Sequence, residues 1–152
     1  MRDWQAAGVW RRLHQVPLER LHAASEINWR RASVDSARVP AKKRRSATDP
    51  NPTDRGKAGT KRHLLTNARG RPLGLFLIGA NCHDSPLMAP TLDAIPPLRI
   101  ERRGRPLQRP DKLHADKAYD VRVRRQECRA RGIRPRIARR SIESSDRLGR
   151  HR

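Results

Sequence analysis

Residues 61–78, KRHLLTNARGRPLGLFLI, decide how this chain folds. The apolar run 73–78 has the length of a buried central strand, and residues 61–66 form a second strand candidate. Between them, residues 67–70 form a turn signal, because Gly70 adopts a positive φ without a steric penalty. The stretch therefore predicts a β-hairpin.

On the N-terminal side of the hairpin, residues 2–24 predict a helix whose apolar residues recur on one face. Pro17 lacks a backbone N–H and clashes with the preceding turn. It is therefore expected to break this helix and to start a second one. The residues expected on the apolar face are Val9, Leu13 and Val16, extended by Trp10.

On the C-terminal side, helices and strands alternate. Asp84 and Pro86 form a helix start, because a carboxylate oxygen can cap free N–H groups and proline fits the first helical position. Residues 113–115 predict a short strand, residues 119–131 a helix, and residues 133–137 an edge strand. The order of elements is therefore strand, hairpin, helix, strand, helix, strand.

The chain is strongly basic: 36 Lys and Arg against 15 Asp and Glu give its 152 residues a formal net charge of +21. A chain this basic usually binds nucleic acid, because Lys and Arg contacts to phosphates release counterions. Charge alone leaves DNA and RNA open, and a ribosomal-type RNA binder and a disordered basic tail are alternatives. No apolar run could span a membrane and no secretory signal is recognisable, so we expect a cytoplasmic protein.

The tryptophans and cysteines carry no chemical motif. The tryptophans are too sparse for a base-stacking platform, and the two cysteines form no CxxC pair. All five are expected to be packing residues: Trp4, Trp10, Trp29, Cys82 and Cys128.

Two aspartates follow predicted strands. Asp35 comes after residues 27–34, and Asp116 comes after residues 113–115. Carboxylates at strand ends can converge on Mg²⁺, a hard cation that takes a few carboxylates and keeps waters for phosphates. The pattern is weak by itself, because aspartates beside strands are common.

A set of short motifs in fixed order adds a resemblance. The motifs are ASVDS (residues 32–36), NPTDRGK (51–57), GTKRHL (59–64), GANCHDS (79–85), LHADKAYD (113–120) and GIRPRIA (132–138). Together they closely resemble the DDE transposases of insertion sequences in the IS-four and IS-five superfamily. The resemblance covers nearly the whole chain, and its specificity comes from the ordered set.

The resemblance implies an α/β fold of the ribonuclease-H-like type, a mixed sheet with flanking helices. It implies two Mg²⁺ (or Mn²⁺) ions and metal-dependent cleavage and strand transfer of double-stranded DNA. Asp35 and Asp116 match the first two catalytic carboxylates and would both be metal ligands. A bacterial, nucleoid-associated protein that acts as a homodimer is the implied context.

The third carboxylate of the family is a Glu on a helix after the segment that matches residues 147–151. Neither Glu127 nor Glu143 matches that position. We therefore expect a chain truncated at both ends and inactive alone. Residues 1–25 would be the tail of a helix-turn-helix-like region, and residues 26–152 a partial catalytic domain, incomplete at its C-terminus.

Several basic residues are candidates for DNA contacts. Residues 42–45 form a basic cluster suited to tracking phosphates, with a solvated loop as the equal alternative. Lys117 follows Asp116 in the family pattern and could steady a phosphate as a point charge, or be a solvated surface lysine. A non-enzymatic DNA-binding remnant is the rival to the enzyme. The full candidate set is Lys42, Lys43, Arg44, Arg45, Lys61, Arg62 and Lys117.

Overall fold

The computed structural model describes residues 2–41, 48–52, 54–98 and 109–140. These residues form four α-helices: α1 (Arg2–Ala6), α2 (Val9–Ala23), α3 (Met88–Asp93) and α4 (Arg122–Ala130). They also form six strands: β1 (Ala32–Pro40), β2 (Asp49–Pro50), β3 (Ala58–Asn67), β4 (Pro72–Gly79), β5 (Lys112–Ala115) and β6 (Arg134–Ile137). Two 3-10 turns, Ser85–Leu87 and Lys117–Tyr119, precede α3 and α4.

The strands of the described residues form one mixed sheet. β3 is antiparallel to β1 on one edge and to β4 and the short β2 on the other. β1 continues the sheet through parallel pairing with β5, and β5 pairs in parallel with β6. This mixed α/β sheet with flanking helices confirms the expected ribonuclease-H-like architecture.

Strand alternation gives the sheet two unlike faces. The covered face packs into the core through Val34, Leu65 and Leu113, which are 3% exposed or less. The open face carries Ser33, Asp35, Arg62, Leu75 and Leu77, since these residues alternate with the buried ones or pair across the strands. Leu75 and Leu77 are about half exposed, so the open face presents apolar surface as well as polar groups.

The hairpin prediction is confirmed. β3 and β4 are joined by a tight turn in which Gly70 has a φ of 75°. The expectation that residues 73–78 form a central strand is wrong, because within the described residues β4 pairs with β3 alone. A run of apolar residues cannot distinguish a strand buried on both faces from an edge strand with an exposed apolar face.

Helix α3 packs closely on the covered face at Gly74. A Cβ built at Gly74 would lie 2.8 Å from the carbonyl oxygen of Thr91, which is closer than a real contact allows. The absence of a side chain at this position therefore sets the distance between α3 and β4.

The N-terminal helix differs from its prediction in two respects. The break falls at Gly8, which has a φ of 66°, and Pro17 lies inside an unbroken α2. The predicted apolar face is also wrong, because Leu13 is 57% and Val16 45% exposed. Leu18 packs into the core instead, so the buried side of α2 is set by its position over the sheet.

Strand β1 also differs from its prediction. It runs from Ala32 to Pro40, so Asp35 lies inside the strand and not at its end. The reason is the long ladder with β3, in which every residue from Ala32 to Pro40 has a partner. Sequence periodicity near residue 27 does not reveal this pairing, because the partner strand lies far along the chain.

Two of the three tryptophans are not core residues. Trp4 and Trp10 are 55% and 44% exposed, and their rings contact each other with centroids 5.6 Å apart. Trp29 packs against the core as expected, and its indole N–H donates to Nδ1 of His22 at 3.3 Å. Cys128 is buried and Cys82 half-buried, both as free thiols. Of the helices among the described residues, none has the length and apolarity needed to cross a membrane.

Candidate active site

The register of two parallel strands brings the candidate carboxylates together. Ser33 of β1 is the partner of His114 of β5, and Asp35 and Asp116 each lie two residues further along. Adjacent strands are about 4.8 Å apart, and a step of two residues returns to the same face. Extended by two residues beyond its last pair, this register places Asp35 and Asp116 on the same face, next to each other, just past the end of β5.

Both carboxylates are exposed and held by local backbone contacts. Oδ1 of Asp35 accepts a hydrogen bond from the Ser36 N–H at 2.8 Å. Oδ1 of Asp116 accepts one from the Ala118 N–H at 2.9 Å, so Asp116 caps the 3-10 turn that follows it. One oxygen of each carboxylate is engaged, which orients the group without neutralising its charge.

The two carboxylates have no ion pair among the described residues of this strongly basic chain. Within the described residues, neither Asp35 nor Asp116 has a Lys, Arg or His within 4.0 Å. Six of the ten other acidic side chains in the described part of the chain are paired with cations: Glu26, Asp54, Asp84, Asp93, Asp120 and Glu127. Two adjacent carboxylates without a protein cation fit the oxygen-rich ligand set that a hard divalent cation prefers.

A third acidic ligand is not in place in the described part of the chain. No group of three or more His, Cys, Asp or Glu side chains converges there on a possible metal position. Glu127 of α4 is paired with Arg124 at 3.0 Å. Glu143 lies outside the described residues.

A buried ionic network lies next to the two carboxylates. Nζ of Lys61 is 2.9 Å from Oδ1 of Asp84, and it donates to the Cys82 carbonyl oxygen at 2.5 Å. The Lys61 side chain is only 3% exposed. The expected capping role of Asp84 is wrong, since its carboxylate makes no cap hydrogen bond and faces Lys61 instead.

The network continues to the turn that carries Asp116. Nε2 of His63 is 3.8 Å from Oδ1 of Asp84, and Nδ1 of His63 is 3.2 Å from the Tyr119 hydroxyl. His63 is fully buried and Tyr119 is 1% exposed. The side chain of Ser36, the residue after Asp35, lowers the pKa of both Tyr119 and Asp84.

Burial and charge fix the protonation of these groups. Burial lowers the pKa of His63, although Asp84 acts in the opposite direction. Burial raises the pKa of Tyr119 well above its ordinary range, with further increases from Asp84, Asp116 and Asp35. His63 is therefore neutral and Tyr119 is a phenol at neutral pH. With the His63 proton assigned to Nε2, which faces Asp84, the Tyr119 hydroxyl donates to Nδ1.

The candidate DNA-binding residues fall into three groups. Arg62 is exposed on the open face, and Lys117 is exposed in the turn after Asp116. Lys61 points to the covered face, because alternation along β3 separates it from Arg62, and its burial does not fit a direct DNA contact. Residues 42–45 lie outside the described residues.

Three residues beside the carboxylates were not identified from the sequence: His63, Tyr119 and Ser36. His63 lies in the motif GTKRHL together with Lys61, and Tyr119 lies in LHADKAYD together with Asp116. This shared position in the motifs is the one signal that the sequence offers for them. The contact between His63 and Tyr119 is not predictable from the sequence, because the two residues are 56 positions apart.

Comparison with known proteins agrees with the motifs. The family model of the transposase DDE domain matches residues 30–151. The chain is 46% identical over 123 residues to the "Putative transposase for insertion sequence element IS402" of Burkholderia cepacia, which covers 81% of this chain and 56% of that protein. It is also 56% identical over 41 residues to the IS402 uncharacterized 16.2 kDa protein of the same organism, 27% of this chain and 28% of that protein.

The match spans most of this chain but only about half of the first relative, 56% of its length. The family match, residues 30–151, includes both aspartates, the buried network and strands β1 to β6. The chain therefore belongs to the transposase DDE-domain family.

Proposed function

We propose that Asp35 and Asp116 are metal ligands in a centre for cleavage and strand transfer of DNA. The observation that carries the proposal is the parallel register of β1 and β5, which gives two adjacent carboxylates without a protein cation among the described residues. DDE transposases use divalent metal ions. Mg²⁺ or Mn²⁺ suits oxygen ligands of this kind, and the complete family site takes two ions.

The chemistry divides between the ions and the chain. When bound, a pair of such ions activates a water or a 3′-hydroxyl and stabilises the leaving oxygen. The residues of this chain orient the site: Ser36 and Ala118 each donate a backbone N–H that fixes one carboxylate oxygen. Carboxylates held in fixed positions would bind the metal ions without having to reorient during the reaction.

The substrate in this proposal is double-stranded DNA, comprising element ends and target. The exposed Arg62 and Lys117 are proposed to contact its phosphates, and Lys42, Lys43, Arg44 and Arg45, which lie outside the described residues, are further candidates from the sequence. The family assignment favours DNA over the RNA of a ribosomal-type protein. A cytoplasmic, nucleoid-associated homodimer is the corresponding setting in the cell.

The two helices at the N-terminus are proposed to belong to a separate functional region. Residues 1–25, which contain α1 and α2, would form part of a helix-turn-helix-like segment, and residues 26–152 part of the catalytic domain. The start of the family match at residue 30 supports this division.

A complete reaction needs a third carboxylate. Asp84 is committed to Lys61 and Glu127 to Arg124, so neither is available as a ligand. We therefore propose that these 152 residues alone bind metal weakly and do not cut DNA. Cleavage of plasmid DNA by the purified chain in Mg²⁺ or Mn²⁺ would contradict this.

The test of the site is Mn²⁺ binding to the purified chain, measured from the EPR signal of the free ion. Asp116→Asn and Asp35→Asn remove one ligand charge each, and each is expected to weaken Mn²⁺ binding at least tenfold. The matched control is Asp111→Asn, because Asp111 is an exposed aspartate at the opposite end of β5. Asp111→Asn should bind Mn²⁺ like the wild type.

A second function is tested by the same measurement. A basic DNA-binding protein without chemistry would bind DNA through its net charge of +21 and would not respond to these substitutions. Equal Mn²⁺ affinity in Asp116→Asn, Asp111→Asn and the wild type would therefore reject the metal site and favour this alternative.

A further inference from the structure

The two carboxylates lie at a point where the sheet no longer fixes their spacing. The parallel ladder between β1 and β5 contains two partner pairs, Ala32 with Leu113 and Ser33 with His114. Asp35 and Asp116 lie beyond the second pair. Backbone pairing alone therefore leaves their separation adjustable, whereas catalytic geometry must be held within about 0.5 Å.

Side chains bridge this gap on the covered face. Tyr119, three residues after Asp116, reaches Nδ1 of His63 with its hydroxyl at 3.2 Å. His63 is the β-ladder partner of Ser36, which directly follows Asp35. The Tyr119 hydroxyl thus connects the segment bearing Asp116 to the backbone bearing Asp35.

The far end of the bridge is anchored by charge. Asp84 lies 3.8 Å from Nε2 of His63 and 2.9 Å from Nζ of Lys61. Lys61 in turn donates to the Cys82 carbonyl oxygen at 2.5 Å. The fully buried His63 ring faces Asp84 with Nε2, beyond hydrogen-bond distance, and its burial favours an orientation that presents Nδ1 to Tyr119.

We infer that the buried chain Lys61–Asp84–His63–Tyr119 is a positioning network that sets the spacing between Asp35 and Asp116. Tyr119 is its key member, because it alone belongs to the segment that carries Asp116. The inference rests on the proposed function, since it assigns a purpose to the spacing of the two metal ligands. It gives Lys61 an internal role in place of a DNA contact.

The proposal predicts that disrupting the network lowers the ratio of Mn²⁺ to Ca²⁺ affinity and does not simply weaken metal binding. Mg²⁺ demands near-octahedral geometry, and Mn²⁺ binds oxygen ligands at shorter distances than Ca²⁺, which accepts longer and more variable ones. A site whose two carboxylates move apart loses more affinity for Mn²⁺ than for Ca²⁺. A simple fall in the folded fraction would reduce both affinities by the same factor.

The experiment compares Tyr119→Phe with the wild type in the full chain. Mn²⁺ binding is measured by EPR and Ca²⁺ binding by displacement of Mn²⁺, and thermal melting is recorded on the same samples. Tyr119→Phe is expected to weaken Mn²⁺ binding about tenfold, in the range found when groups behind metal ligands are removed. Its Ca²⁺ affinity should fall less than twofold.

The matched control is Thr91→Val. Thr91 is also fully buried, and its hydroxyl donates to the Leu87 carbonyl oxygen at 2.6 Å, in α3 and away from both aspartates. Thr91→Val removes a buried hydrogen bond of the same kind and should leave both metal affinities unchanged. Ser36→Ala, which removes a side chain that acts on the pKa of the Tyr119 hydroxyl, serves if Tyr119→Phe does not fold, and should shift the ratio of the two affinities in the same direction.

The outcomes separate the two proposals. If Asp116→Asn weakens Mn²⁺ binding and Tyr119→Phe does not change the ratio of Mn²⁺ to Ca²⁺ affinity, the positioning network is rejected and the metal site stands. If Asp116→Asn has no effect, the metal site itself is rejected. A ratio that falls in Tyr119→Phe and is constant in Thr91→Val supports the network.

Discussion

At the scale of single residues, the ion pair of Lys61 and Asp84 is the interaction among the described residues that we expect to be most destabilising to break. Lys61→Met should reduce the free energy of unfolding by about 3 kcal/mol, because the Asp84 carboxylate is left partly buried without its cation. Urea denaturation followed by circular dichroism measures the change. The double variant Lys61→Met with Asp84→Leu should recover most of it, since an apolar pair replaces the charges. A loss below about 1 kcal/mol in the single variant would show that water already solvates this carboxylate.

The same pair gives the stability a defined pH dependence. Burial acts to raise the pKa of Asp84, but the hydrogen bonds from Lys61 and Ser36 and the charge of Lys61 lower it below 3.8. A carboxylate with a lowered pKa in the folded state stabilises the fold above its unfolded value. That contribution is lost as the pH falls through the folded value. The stability difference between wild type and Lys61→Met should therefore narrow below about pH 4.

At the scale of elements, Pro17 is the residue least suited to the secondary structure in which it lies. It lies inside α2 and cannot donate to the carbonyl of Leu13, and it is exposed. Pro17→Ala should raise the free energy of unfolding by about 1–2 kcal/mol. The restored helix bond exceeds the added freedom of the unfolded chain. A denaturation midpoint equal to that of the wild type would show that α2 contributes little to global stability.

Elements with strong local signals were predictable, and those defined by distant partners were not. The turn at Gly70 and the strands on either side of it lie within 22 consecutive residues, so the hairpin is predictable from local sequence. The extent of β1 depends on its ladder with β3, and the buried side of α2 depends on the sheet beneath it. Neither of these distant contacts produces a hydrophobic periodicity in the local sequence.

The candidate site shows the same division. Asp35 and Asp116 were identified because each lies in a short motif of the family. The contact between His63 and Tyr119 joins residues of two motifs, 56 positions apart in the sequence, and needs the folded sheet. Lys61 was assigned to DNA because of its charge, whereas strand alternation places Arg62 and not Lys61 on the open face. The net charge indicates a nucleic-acid partner, and the fold determines which Lys and Arg side chains can contact it.

At the scale of the whole molecule, the net charge of +21 predicts strongly salt-dependent DNA binding. The open face should be the binding side, since the proposed metal ligands and Arg62 share it. Arg62→Gln is therefore expected to weaken binding to a 30-bp duplex, measured by fluorescence anisotropy over a range of NaCl concentrations. The slope of log affinity against log salt should fall by about 1, the contribution of one phosphate contact.

The control for this prediction is Arg129→Gln. Arg129 is exposed on α4, which packs against β6, and its substitution lowers the net charge by the same single unit. If DNA binds on the open face, Arg129→Gln leaves the salt slope unchanged while Arg62→Gln reduces it. If both variants reduce the slope equally, the chain attracts DNA by its total charge without a preferred side. In that case the carboxylates would have no fixed relation to the phosphates, and the open face could not serve as the reaction surface.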